Sequence, residues 1–300
     1  MALRVIENSL PNAISLERPK KQAKTTTQRI QNSQQGVGVT DENTAPWSSS
    51  TEPTVDYIIS SDLKPMPHPE EEIQDLVEGL NSKDWLKVCD CLNKARRFAL
   101  FHSTLLKPYL ETLLVALIKS VKNPRSALCK TSIMASSDVF TSFGDELLLL
   151  GTQSMDNLVL QLLLKASQDK RFVCEEADRA LDSMVKSFTA LPLLSKLQAY
   201  VNHSNQRIRA KAAVSISHAV TKMGMEELEK AGLVSLLKMA VDLLNDRLPD
   251  AREASRRMLN SIYQTYKANN QNQVAWEEFC QLHLAPINAQ SVIKLTCSST

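Results

Sequence analysis

Residues 81–100 read NSKDWLKVCDCLNKARRFAL, and Trp85, the largest side chain of the stretch, stands at its opening between Lys83 and Lys87. Ser82 or Asp84 can accept the first amides of a helix here, and apolar residues three or four apart then mark one face. A rigid indole in a first turn has two uses. It caps the apolar end of a core, or it offers a partner a large contact area at small entropic cost. Residue type and spacing leave both readings open.

Other reactive residue types do not assemble into a chemistry. The six cysteines, at 89, 91, 129, 174, 280 and 297, include no C-x-x-C pair and have no histidine at zinc-ligand spacing. Cys89 and Cys91 are two apart, so they point to different sides of a helix and cannot bridge easily. They read as reduced packing thiols of a cytosolic or nuclear protein, with no secretory leader expected. His203 and His218 lack carboxylate or thiol partners at ligand spacing, so neither a metal nor a cofactor is expected. No phosphate-cradling glycine loop, nucleophile elbow or H-E-x-x-H is present, which leaves no catalytic residue to nominate. The chain reads as a binder, not an enzyme.

The elements that must position Trp85 follow from composition. With 43% hydrophobic and 23% charged residues the chain can bury a core, and 7 glycines with 5% aromatics suit helices better than sheets. A formal net charge of +2 speaks against a dedicated nucleic-acid binder. The runs LLVALI and LVLQLLL are too short to span a bilayer, so no membrane contact is expected. Texture changes near residue 67. Residues 1–66, rich in Ser, Thr, Gln, Asn and Pro, read as a disordered polar tail. Within it Arg18, Lys20, Lys21, Lys24 and Arg29 form a basic stretch that fits a weak nuclear signal, a patch for an acidic surface, or simply a solvated tail.

From residue 67 onward helices come in pairs. The second helix of each pair opens on a similar core, VCDCL at 88, ALCKT at 127, VCEEA at 173, IRAKA at 208 and AREAS at 251. These intervals are those of HEAT and armadillo units, whose hairpins bury their apolar faces only by stacking. An all-α solenoid of about six helix pairs over 67–285 is therefore expected, one right-handed stack without a sheet. A sixth element around VAWEEFCQLHL should close it through Trp276, Phe279 and Leu282, with residues 286–300 a short C-terminal tail. The turns inside the pairs are SKD, NPR, DKR, SNQR and DRLPD. Equivalent turns of a solenoid superimpose, so these five share one edge and line it with bases.

The paired helices, the Asp84-Trp85 opening, PRSALCKTS of the second repeat and PDAREASRRML of the fifth resemble a TOG domain, most closely the N-terminal-type module of the CLASP microtubule regulators. The resemblance covers about residues 67–285. It implies a paddle of six HEAT-like repeats whose intra-repeat turns contact tubulin or microtubules, in the cytoplasm and on the cytoskeleton. Carried over position by position, Trp85 and Lys87 match the first turn and Asn123 and Arg125 the second. Lys170 and Arg171 match the third, Asn205 and Arg207 the fourth, and Arg252 the fifth. The chain departs from that pattern at Glu175 and Glu176, just inside the third turn, and at Cys89 and Cys174, which stand where a base is usual. Arg209 is placed to bond a neighbouring repeat, which makes Arg207 the contact candidate of the two. A single module of this kind would bind weakly without a partner or self-association. The residues also fit an armadillo-like adaptor, which would grip a peptide or protein partner in the groove of one helix layer instead of on the edge.

Overall fold

The computed structural model describes residues 55, 57–151, 153–270 and 273–297. The expectations for residues 1–54, the disordered tail and its basic stretch, lie outside the described residues.

The first pair is α1 (Pro69–Gly79) and α2 (Trp85–Phe101), followed by a short α3 (Ser103–Leu106). Next come α4 (Leu110–Lys122) and α5 (Ser126–Phe143), with a short α6 (Glu146–Leu149), then α7 (Gln153–Ala166) and α8 (Arg171–Ser187). The fourth pair is α9 (Ala190–Leu197) and α10 (Gln206–Thr221), followed by a short α11 (Met225–Lys230). The last two pairs are α12 (Leu233–Leu244) with α13 (Pro249–Asn270) and α14 (Gln273–His283) with α15 (Pro286–Cys297). No strand occurs among the described residues, as the helical periodicity predicts.

Local sequence sets these boundaries. Pro69 opens α1 at a position whose amide has no intrahelical acceptor, and Glu70, Glu71 and Glu72 face the positive end of the helix dipole. Asp84 caps α2 by accepting the Leu86 amide at 3.0 Å, and Asn205 caps α10 by accepting the Arg207 amide at 2.9 Å. The second helices form one layer, with α2 on α5, α5 on α8, and α10 on α13. Each first helix backs the second helix of its own pair, and α4 also meets α7. The third and fourth repeats join differently, because α10 leans on both α7 and α8. Between the layers runs one apolar core. Leu76, Leu92, Phe98, Leu117, Phe140, Leu162, Phe188, Ile216, Leu237 and Met258 are fully buried along its length.

Three expectations are corrected. Residues 286–297 are not tail but α15, which packs on α13 and α14 and buries Ala289, Val292 and Thr296. Trp276 donates from Nε1 to the Thr296 hydroxyl at 3.1 Å, so the closing tryptophan depends on this helix. Leu282 does not help to seal the end. Trp276 and Cys280 are fully buried one turn apart and Phe279 packs beside them, whereas Leu282 lies round the helix at 78% exposure. The polar tail was expected to run to residue 66, but residues 57–66 dock on the second-helix layer. Leu63 and Met66 are buried. Arg97 donates to the carbonyls of Lys64 and Pro65 at 2.6 and 2.8 Å.

Candidate functional site

Five turns, each joining the first helix of a pair to its second, bring the nominated residues to one edge. The indole of Trp85 is half-buried: part of it packs on the core, and the Arg125 guanidinium covers its ring at 5.6 Å from the centroid. Turn one therefore meets turn two through a cation over an aromatic face. Lys87 is exposed two residues further on. Gly79 lets α1 approach α2 closely, because a Cβ at that position would collide with the Cys91 Sγ.

The remaining turns are also tied to one another. Lys170 donates from Nζ to the Ser126 hydroxyl at 3.2 Å, linking turn three to the start of α5. Arg207 reaches back from turn four to turn three, donating to Ser167 O at 3.2 Å and pairing with Asp169 at 2.6 Å. Arg209 crosses the other way to Asp246 at 3.0 Å, the bond to a neighbouring repeat expected of it. Asp246 is a hub, since its carboxylate also accepts the Leu248 amide at 2.9 Å. Asn123 and Asn205 each accept the amide two residues on. Sulfur closes two turns from behind: the Cys129 thiol donates to Val121 O at 3.3 Å and the Cys174 thiol to Ala166 O at 2.9 Å.

Electrostatics favour an anionic visitor. The first turns of α2, α5, α8 and α10 contain no acid, although acids are the residues that helix dipoles prefer there. Instead Arg125 and Lys170 occupy the N-cap positions of α5 and α8, with Arg171 and Arg207 just inside α8 and α10. Cations at the positive ends of helices reinforce the local field. Several acids moderate it. Glu175 pairs with Arg171 at 2.7 Å, which raises the guanidinium pKa and lowers that of the carboxylate. Glu176 is buried against Arg179 at 2.7 Å and does not reach the edge. The cysteines are not reactive groups of this site, since burial pushes the Cys89 thiol up to about 11 and also raises Cys129 and Cys174.

The fifth turn differs from its sequence reading. Arg252 is half-buried and donates to Asp246 O and Arg247 O, both at 2.9 Å, so it shapes the turn. The exposed base there is Arg247, which lines a polar cleft of about 530 Å³ with Ser204, Asn205, Gln206 and Arg209. Its position inside the turn was the available signal.

The sequence model of the family described as CLASP N terminal matches residues 99–277. The chain belongs to the CLASP N-terminal family. Among curated proteins this family member is similar to TOG array regulator of axonemal microtubules protein 1. It is 28% identical to the Mus musculus protein over 215 residues, covering 70% of this chain, and 33% identical to the Homo sapiens protein over 129 residues, covering 43%. It spans only 12% and 7% of the length of those relatives. Among solved structures, the MAST/Orbit N-terminal domain superimposes with a TM-score of 0.56 at 13% identity, over 75% of this chain and 96% of that one. A TOG domain from C. elegans Zyg9 superimposes with 0.55 at 15% identity, over 81% and 91%. The fold is that of a TOG domain in the HEAT-like superfamily.

Proposed function

We propose that this TOG domain binds tubulin and serves microtubule regulation, as a non-catalytic module of the cytoskeleton. A solved neighbour of the same fold carries the description "TOG-tubulin binding specificity promotes microtubule dynamics and mitotic spindle formation", and the curated relatives are named as regulators of axonemal microtubules. The observation that carries the reading is the turn edge, where neighbouring turns brace one another and hold Trp85 beside a line of bases. Trp85, Lys87, Arg125, Lys170, Arg171, Arg207 and Arg247 are the contact residues. Asn123, Asn205 and Arg252 fix the turns that present them. Rigid turns lose little entropy on docking, and the aromatic supplies apolar area while the bases steer an acidic surface.

The adaptor reading would use the face of the second-helix layer. Part of that face is occupied by the chain itself: Tyr57 lies against Lys130, 4.3 Å from Nζ to the ring centroid, and Ser60 donates to Asp138 at 2.6 Å. Charge reversal separates the two surfaces. Lys87→Glu, Arg125→Glu and Lys170→Glu together should abolish association with purified tubulin, while Lys186→Glu with Arg256→Glu on the layer face should leave it intact. The opposite pattern would favour the adaptor.

A further inference from the structure

We infer that Phe172 is a second aromatic anchor on the turn edge, so that the partner is held at two apolar points, in the first and third repeats, with bases between them. The inference rests on the tubulin-binding reading and deepens it.

Phe172 is the second residue of α8, set between Arg171 and the buried Val173, and its side chain is 45% exposed. Single exposed apolar residues are ordinary on protein surfaces, so exposure alone decides nothing. Placement decides it. Of the other large apolar side chains exposed among the described residues, Tyr57, Ile58 and Ile59 belong to the segment before α1. Phe101 ends α2, Val115 lies within α4, and Leu149 ends a connector between pairs. Leu282 and Ile287 flank the α14–α15 turn. That turn belongs to the closing pair and lies beyond the five turns that carry Trp85 and the bases. Among these side chains, Phe172 is the one that stands on the five base-lined turns.

Two observations tie Phe172 to the working side of that edge. Arg207 holds the same register, second residue of its helix, and its guanidinium lands on Ser167 and Asp169 of the turn that presents Phe172. Lys170, just before Phe172, reaches to Ser126 beside Arg125, the residue that covers Trp85. Trp85, Arg125, Lys170 and Phe172 thus follow one another along the edge through direct contacts or chain neighbours. An aromatic on a turn that also carries Lys170 and Arg171, and onto which Arg207 reaches, has the composition of an interface hot spot, whose apolar centre is dried by a charged rim.

Apolar contact and charge respond differently to salt, and this supplies the test. Affinity of the full chain for purified tubulin should be measured at low and moderate salt for wild type, Trp85→Ala, Phe172→Ala, Phe172→Tyr and Lys170→Ala, with thermal midpoints recorded alongside. Phe172→Ala should weaken binding about tenfold at both salt levels, as removal of a hot-spot aromatic does, with its midpoint unchanged. Phe172→Tyr should bind as wild type. Lys170→Ala should lose most at low salt, where its charge is least screened. Wild-type affinity in Phe172→Ala, together with weakened binding in Trp85→Ala, would overturn the second anchor and leave the edge standing. A wild-type protein that binds no tubulin at either salt level would overturn the edge itself, and Phe172 with it.

Discussion

The Arg125 guanidinium lies over the indole of Trp85, 5.6 Å from the ring centroid, and joins the first repeat to the second at the turn edge. This contact explains how a large apolar side chain persists beside lysines without full burial: one part of the ring packs on the core, and a cation covers another. A double-mutant cycle of Trp85→Ala and Arg125→Ala, read by denaturant unfolding, should return a coupling of about 0.5–1 kcal/mol. Strictly additive effects would mean that the two residues are only neighbours.

Residues 57–66 should contribute to stability. The side chains of Arg96 and Asp138 are almost wholly buried and paired at 2.6 Å, and the docked segment completes their shell through Ser60 and the Ile58 carbonyl. Breaking such a pair strands a charge, so Arg96→Ala should cost about 3–5 kcal/mol. A chain beginning at residue 67 should melt roughly 5–10 °C below one beginning at residue 55, because it also loses the buried Leu63 and Met66. Equal midpoints would show that the segment adds nothing.

Stability should fall on acidification through His218. Burial, then the Arg257 guanidinium, holds this imidazole below its ordinary value; Arg257 lies 2.8 Å from Nε2, Asp182 is 3.8 Å from Nδ1, and Lys186 also repels the proton. The folded state therefore binds the proton less readily than the unfolded chain, whose histidine titrates near pH 6.5. By linkage the contribution is intact above about pH 6.5 and is lost as pH falls below it. Thermal midpoints recorded from about pH 7.5 to 5 should decline less steeply in His218→Gln than in wild type.

Much of the fold was legible because stacked helix pairs repeat a 3.6-residue pattern at the spacing of HEAT and armadillo units, and both helices of each of the first five pairs fall where that pattern puts them. What was not legible depends on partners far away in sequence. α15 carries small polar residues such as Ser291 and Thr296 on a weakly patterned helix, and its place is set by Trp276. The docking of residues 57–66 depends on Arg96 and Asp138, which no local pattern near Ser60 announces. The site divides the same way. Sequence placed Trp85 and the bases on one edge, but whether Arg252 or Arg247 faces solvent is decided by which guanidinium the turn carbonyls capture.

The most direct measurement takes tubulin affinity and folding stability on the same variant, Trp85→Ala, in the full chain. Because the indole is only partly buried, the substitution should cost about 1–2 kcal/mol, less than the roughly 3–5 kcal/mol of a core tryptophan, and leave the protein folded. Binding to purified tubulin at low salt should nevertheless fall by about tenfold or more. A folded Trp85→Ala protein that binds tubulin as tightly as wild type would contradict the assignment of this edge as the tubulin interface.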